Sequence, residues 1–153
     1  MVQLNCAAPV ALTAATLPKL RARGRGAVIF TGSVAGCQPL PLHALYAATK
    51  SFDNLLGEAL WGELRGTGVD VLVLEPGSTE TEFQAAAGEI AHEGERPDKV
   101  VRVALRALGQ QPSVVSGVLN WLSANAATRL APRSLLALAA KGVMARQTPE
   151  EMR

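Results

Sequence analysis

Two short apolar runs, AVIFTGS at residues 27–33 and VDVLVLEPG at 69–77, constrain this chain more than any other feature. Each follows a glycine and is rich in aliphatic residues. Neither shows the strict polar alternation of a half-solvated strand. Such runs fit strands buried on both faces, as in a parallel sheet covered by helices. The flanking segments have helical patterns. Residues 2–22 read as a helix marked by Val2, Leu4, Val10, Leu12, Leu17 and Leu20, interrupted by Pro9 and Pro18. After the RGRG turn (23–26) and the first strand, residues 34–45 form a loop rich in Gly and Pro. Residues 44–65 form a helix with Leu45, Phe52, Leu55, Leu56, Leu60 and Leu64 on or near one stripe, stopped by Gly66 and Gly68.

After the second strand, residues 78–96 hold short polar and alanine-rich pieces, and Pro97 and Asp98 open a helix over 97–109. Val114 and Val115 mark a short third strand. From Leu119 onward the chain reads as helical, divided by Pro132. This alternation predicts an α/β fold with a parallel sheet and flanking helices in one domain over 1–153, with 119–153 as a C-terminal helical segment.

Composition bounds the function. A chain of 153 residues can bury a real core, and 48% apolar with 18% charged residues excludes a disordered segment. A net charge of +2 gives no reason to expect nucleic acid as a partner. Cys6 and Cys37 fit neither a metal-ligand spacing nor a disulfide framework and read as reduced thiols of a cytoplasmic protein. No apolar run approaches the ~20 residues of a membrane span, and the N-terminus lacks a signal-peptide layout.

Ligands of parallel α/β sheets sit at the C-terminal ends of the strands. TGS follows the first strand and EPGSTET the second. Tyr46 and Lys50 are four apart on the intervening helix, so they share a face. A tyrosine phenol titrates near ~10. A neighbouring ammonium lowers that value, which suits the phenol to proton transfer near neutral pH. In isolation, Y-x-x-x-K is more often an incidental pair on a surface helix. Ser33 lies 13 residues upstream at a strand end, where its hydroxyl can share a substrate oxygen with Tyr46. Asn5 precedes Pro9 by four, so its carbonyl loses a helical donor and is open to a water. The simpler alternative is a helix kink.

Competing readings are weaker. GSVAG is not the G-x-S-x-G of a hydrolase nucleophile elbow, and no P-loop motif occurs. His43 and His92 read as ordinary loop residues, with His43 also a candidate for lining a substrate pocket. Residues 66–95 carry seven acids and no Lys or Arg, which reads as a solvated acidic surface. Arg129, Arg133, Lys141 and Arg146 flank the apolar SLLALAAKGVMA, which reads as a terminal helix packed on the domain or a sister subunit, the weaker alternative being a basic amphipathic helix for a membrane surface or an acyl carrier.

VQLN, GAVIFTGSVAG, YAATK and LEPGSTETEF, in this order and spacing, resemble the second half of the short-chain dehydrogenase/reductase domain. The resemblance implies a partial Rossmann-like, doubly wound sheet of about three strands. It implies a catalytic tetrad at Asn5, Ser33, Tyr46 and Lys50. Tyr46 would be the general acid/base, Ser33 would orient the carbonyl, and Asn5 would hold a relay water. Lys50 would bind the nicotinamide ribose and lower the Tyr46 pKa. Cofactor contacts would come from Tyr46, Lys50, Pro76, Gly77, Thr79 and Thr81. The implied cofactor is NAD(P)(H), with NADP(H) favoured. The implied substrate is a small carbonyl or alcohol, 3-oxoacyl-like if the closer wording of P-G-x-T-x-T-x-F holds. Members pair through the helices corresponding to 2–22 and 44–65, so a homo-oligomer is expected of an intact form.

The T-G-x3-G-x-G loop that opens the family's domain does not occur in these residues. G-x-G at 24–26 precedes a strand and is only a turn. The expectation is therefore a late start codon or a truncated gene, and a 153-residue chain that is poorly soluble and does not itself bind NAD(P)H. The alternative to an enzyme is an inactive remnant, or a non-catalytic subunit that pairs with another.

Overall fold

The structure, a computed structural model, describes residues 1–153, the side chain of Met152 excepted. Strands β1 (Gly26–Thr31), β2 (Val69–Glu75) and β3 (Ser113–Val115) form a parallel sheet in the order β1-β2-β3. The helices are α1 (Ala8–Arg23), α2 (Ala44–Glu63), α3 (Phe83–Ala87), α4 (Pro97–Ala107), α5 (Val118–Trp121), α6 (Thr128–Leu130) and α7 (Arg133–Gln147). Among the described residues no helix is long and apolar enough to cross a membrane.

β2 is the central strand and is covered on both sides. Val69, Val71 and Val73 pack with Phe30 and Leu64 against Leu17 and Leu20 of α1 and Leu56 and Leu60 of α2. Leu72 and Leu74 face the other way, onto Val100, Ala104 and Ala107 of α4. Leu72 and Val73 are both 0% exposed. Each such side chain contributes about 1.5–3 kcal/mol through burial.

β1 departs from the two-faced burial expected of it. Phe30 is buried at 6% exposure, but its neighbour Ile29 is 38% exposed. The reason is position. β1 lies at the edge of the sheet, and α4 packs on β2 and β3.

The helix expected over 2–22 also divides. Gln3–Ala7 is a π-helical turn, in which the Ala8 N–H bonds the Gln3 carbonyl. Pro9 cannot supply the N–H that an α-helix would give Asn5, so a wider turn precedes it. The ordinary α-helix α1 then runs to Gly24, whose φ of 67° ends it.

The register decides where the site forms. Thr31 pairs with Leu74, so the segments after β1 and β2 leave the sheet side by side. The Val34 N–H donates to the Pro76 carbonyl at 3.1 Å and ties the two exits together.

Candidate functional site

Both strand exits open into a cavity of about 650 Å³. Ser33, Tyr46, Lys50, Pro76, Gly77, Thr79 and Thr81 all line it, so seven of the eight expected site residues meet in one place. Asn5 is the exception. Its Nδ2 donates to Thr49 Oγ1 at 3.0 Å, and Thr49 Oγ1 donates to the Tyr46 carbonyl at 2.9 Å. Asn5 is thus tied to the Tyr46 turn from behind rather than facing the cavity.

Ser33 has an extended backbone, with φ −172°, and caps the short helical turn Val34–Cys37 by accepting the Ala35 N–H at 3.1 Å. Its hydroxyl also reaches the Pro76 carbonyl at 3.4 Å. Tyr46 lies in the first turn of α2, and its ring rests against Phe83 of α3, centroids 5.4 Å apart. Burial pushes the Tyr46 phenol up from its ordinary value. The Ser33 side chain acts in the opposite direction, while the Glu89 and Asp53 carboxylates add to the rise.

That net direction differs from the lowering expected of Lys50. The ammonium is committed elsewhere. Lys50 Nζ donates to the Thr31 carbonyl at 2.7 Å and to Asp53 Oδ2 at 3.3 Å. Burial pushes the Asp53 carboxyl up, and the Lys50 charge partly offsets this. Asp53 Oδ1 is buried with no hydrogen-bond partner.

The threonines are locally engaged. Thr79 Oγ1 donates to the Gly77 carbonyl at 3.2 Å, and Thr81 Oγ1 accepts the Phe83 N–H at 3.3 Å. A Cβ at Gly77 would stand 2.4 Å from Asn120 Nδ2, so the glycine admits the Asn120 side chain against the strand exit. His43 and His92 both reach the cavity. His43 Nδ1 lies 3.5 Å from Glu89 Oε1, and its Nε2 lies 3.4 Å from Thr148 Oγ1. The His43 side chain thereby links the segment after α3 to the chain beyond α7. Leu40, Leu74, Val100, Val143 and Met144 supply an apolar wall.

Behind the cavity, Cys37 Sγ donates to Glu75 Oε2 at 3.0 Å. Burial, then the bond to Glu75, pushes the thiol far above its ordinary range, so Cys37 is no nucleophile at neutral pH. Burial also pushes the Glu75 carboxyl up. Both cysteines are free thiols.

Sequence reasoning passed over Asp53, Asn54 and Phe83. A signal existed for Asn54. Tyr46, Lys50 and Asn54 are spaced four apart, so all three fall on one helix face. Phe83 closes the P-G-x-T-x-T-x-F stretch, but its contact with Tyr46 depends on how residues 78–93 fold back.

The donor set suits the nicotinamide–ribose end of a dinucleotide. It offers an ammonium (Lys50), a phenol (Tyr46) and two threonine hydroxyls beside the Pro76–Gly77 exit. A pyrophosphate loop of the G-x-G-x-x-G kind, set between a strand and a helix, does not occur in these residues.

Comparison with known proteins places the chain among relatives of one family. The family model for short chain dehydrogenases matches residues 1–91. A short chain dehydrogenase of Pseudocercospora fijiensis is 39% identical over 95 residues, covering 62% of this chain and 31% of that protein. A solved 7beta-hydroxysteroid dehydrogenase superposes with a TM-score of 0.81 at 26% identity, over 92% of this chain and 57% of that one. A short-chain dehydrogenase from Sphingobium yanoikuyae, solved in complex with NADPH, gives a TM-score of 0.68 at 28% identity, over 94% of this chain and 54% of that one. The chain therefore spans about a third of the fungal relative and somewhat over half of the two solved structures.

Proposed function

The chain belongs to the short-chain dehydrogenase family, and on that footing we propose that it carries the catalytic half of an NAD(P)(H)-dependent oxidoreductase acting on a small carbonyl or alcohol. The observation that carries this reading is the convergence of Ser33, Tyr46 and Lys50 with the Pro76–Gly77 exit on one cavity. Lys50, Thr79, Thr81 and the Pro76–Gly77 backbone would hold the nicotinamide riboside. When bound, that group supplies or accepts the hydride.

The chain's own residues do the rest. The Ser33 hydroxyl holds the substrate oxygen at the end of β1. In the reduction direction the Tyr46 phenol gives its proton to that oxygen as negative charge develops there. In oxidation Tyr46 takes the proton back. Burial moves the phenol further from ionising, and its protonated form is the one a reductase needs. Phe83 and the apolar wall favour an uncharged, lipid-like carbonyl compound, in keeping with a 3-oxoacyl-like substrate. Solved neighbours hold NADPH, NADP or NAD, which supports NAD(P)(H) as the cofactor class. Leu4, Leu12, Leu45 and Leu55 are 55–74% exposed on the helices through which a homo-oligomer would form. A cytoplasmic location fits the free thiols.

The test is carbonyl-dependent consumption of NADPH by the product of the gene's whole open reading frame, with neutral ketones of graded chain length. Turnover that rises with apolar chain length supports the reading. NADPH left unconsumed with every ketone would favour the non-catalytic alternative, a remnant or a partner subunit.

A further inference from the structure

The geometry points to Asn54 as a positioning residue of this site: its carboxamide brackets the Ser33 backbone and so sets where the Ser33 hydroxyl meets Tyr46. Asn54 Oδ1 accepts the Ser33 N–H at 3.2 Å, and Nδ2 donates to the Ser33 carbonyl at 3.0 Å. One planar group thus serves as donor and acceptor to a single residue, as a neighbouring strand would. Nδ2 also lies 3.7 Å from Cys37 Sγ at the far end of the same short turn.

Both residues are buried, Asn54 at 7% and Ser33 at 8% exposure. Without the carboxamide, the Ser33 N–H would stand unpaired away from solvent and the Ser33 carbonyl would keep only the Gly36 N–H, which is unfavourable. With it, the Ser33 backbone is fixed and its hydroxyl is left between the Ala35 N–H and the Pro76 carbonyl, facing the cavity.

The loop is built to admit this side chain. A Cβ at Gly32 would stand 2.0 Å from Asn54 Oδ1. At Gly36 it would stand 2.8 Å from Asn54 Nδ2 and 2.6 Å from the Lys50 carbonyl carbon. Asn also has modest helix propensity, so its place inside α2 is better explained by this tertiary role than by the helix itself.

The inference rests on reading Ser33 and Tyr46 as partners at one oxygen, but its test needs neither cofactor nor turnover. Tyr46 is the single tyrosine of the chain, so tyrosinate absorbance during an alkaline titration reports that phenol alone. Asn54→Leu, of similar size and apolar, is expected to move the Tyr46 titration upward, in the direction expected for Ser33→Ala. Combining the two is expected to move it no further than Ser33→Ala alone. Amide exchange at Ser33 is expected to quicken while the β2 amides stay protected.

If Asn54→Leu loses β2 protection, Gly32→Ala carries the test, because it pushes the carboxamide off Ser33 with Asn54 still present. The same upward shift is expected. An unchanged Tyr46 titration in a variant with β2 protected, or fully additive shifts in the double variant, would overturn the inference. An enzymatically silent chain would count against the oxidoreductase reading and leave this titration unaffected.

Discussion

Lys50 Nζ lies 3.3 Å from Asp53 Oδ2, with the two side chains 14% and 5% exposed. The lysine charge expected to act on Tyr46 is therefore largely balanced one helical turn away. Asp53 itself raises the Tyr46 pKa. Asp53→Asn removes that negative charge and releases Lys50. The Tyr46 titration is expected to move down, as read by tyrosinate absorbance. An unchanged or higher titration would show that Asp53 does not govern the phenol.

A second carboxylate governs stability. Burial raises the folded-state pKa of Glu75 above its unfolded value. Its contribution is then fully present below the ordinary glutamate range and is lost as pH rises through the raised value. Glu75→Gln keeps an acceptor for Cys37 and has no charge to bury. The variant is expected to melt higher than the parent at neutral pH, with the gap closing in acid. Melting curves at several pH values check this, and a gap that widens in acid would contradict it.

The centre and the edge of the sheet predict unequal mutational costs. Leu72 is 0% exposed between β2 and α4, whereas Ile29 is 38% exposed at the sheet edge. Leu72→Ala is expected to cost about 2–5 kcal/mol and Ile29→Ala about 1 kcal/mol or less. Urea unfolding measures both, and equal losses would show that β1 is covered in solution.

The β1 edge also bears on association. An unpaired strand edge with an apolar neighbouring face recruits other strands. The 153-residue chain is expected to self-associate, and Ile29→Lys is expected to reduce this. Sedimentation of the two chains checks it. A parent chain that stays monomeric would contradict the expectation.

Much of this was legible in the sequence because it depends on local pattern. The three strands fall at the predicted runs, and Pro97, Pro132 and Gly66 lie at or near helix boundaries. Ser33 and Tyr46 meet because one follows a strand and the other opens the next helix. What was not legible depends on non-local neighbours. The commitment of Lys50 to Thr31 and Asp53 reflects a side-chain choice among several reachable partners. The placement of Asn5 behind Tyr46 follows from Thr49, whose hydroxyl lies between them.

The central claim is that Tyr46 moves the proton. Its most direct test is Tyr46→Phe in the product of the whole open reading frame. Carbonyl-dependent NADPH consumption and NADPH binding are measured side by side. Loss of the phenol proton is expected to lower turnover by about 10²–10⁴-fold, with NADPH affinity nearly unchanged. Turnover retained within a few-fold of the parent would contradict the role assigned to Tyr46.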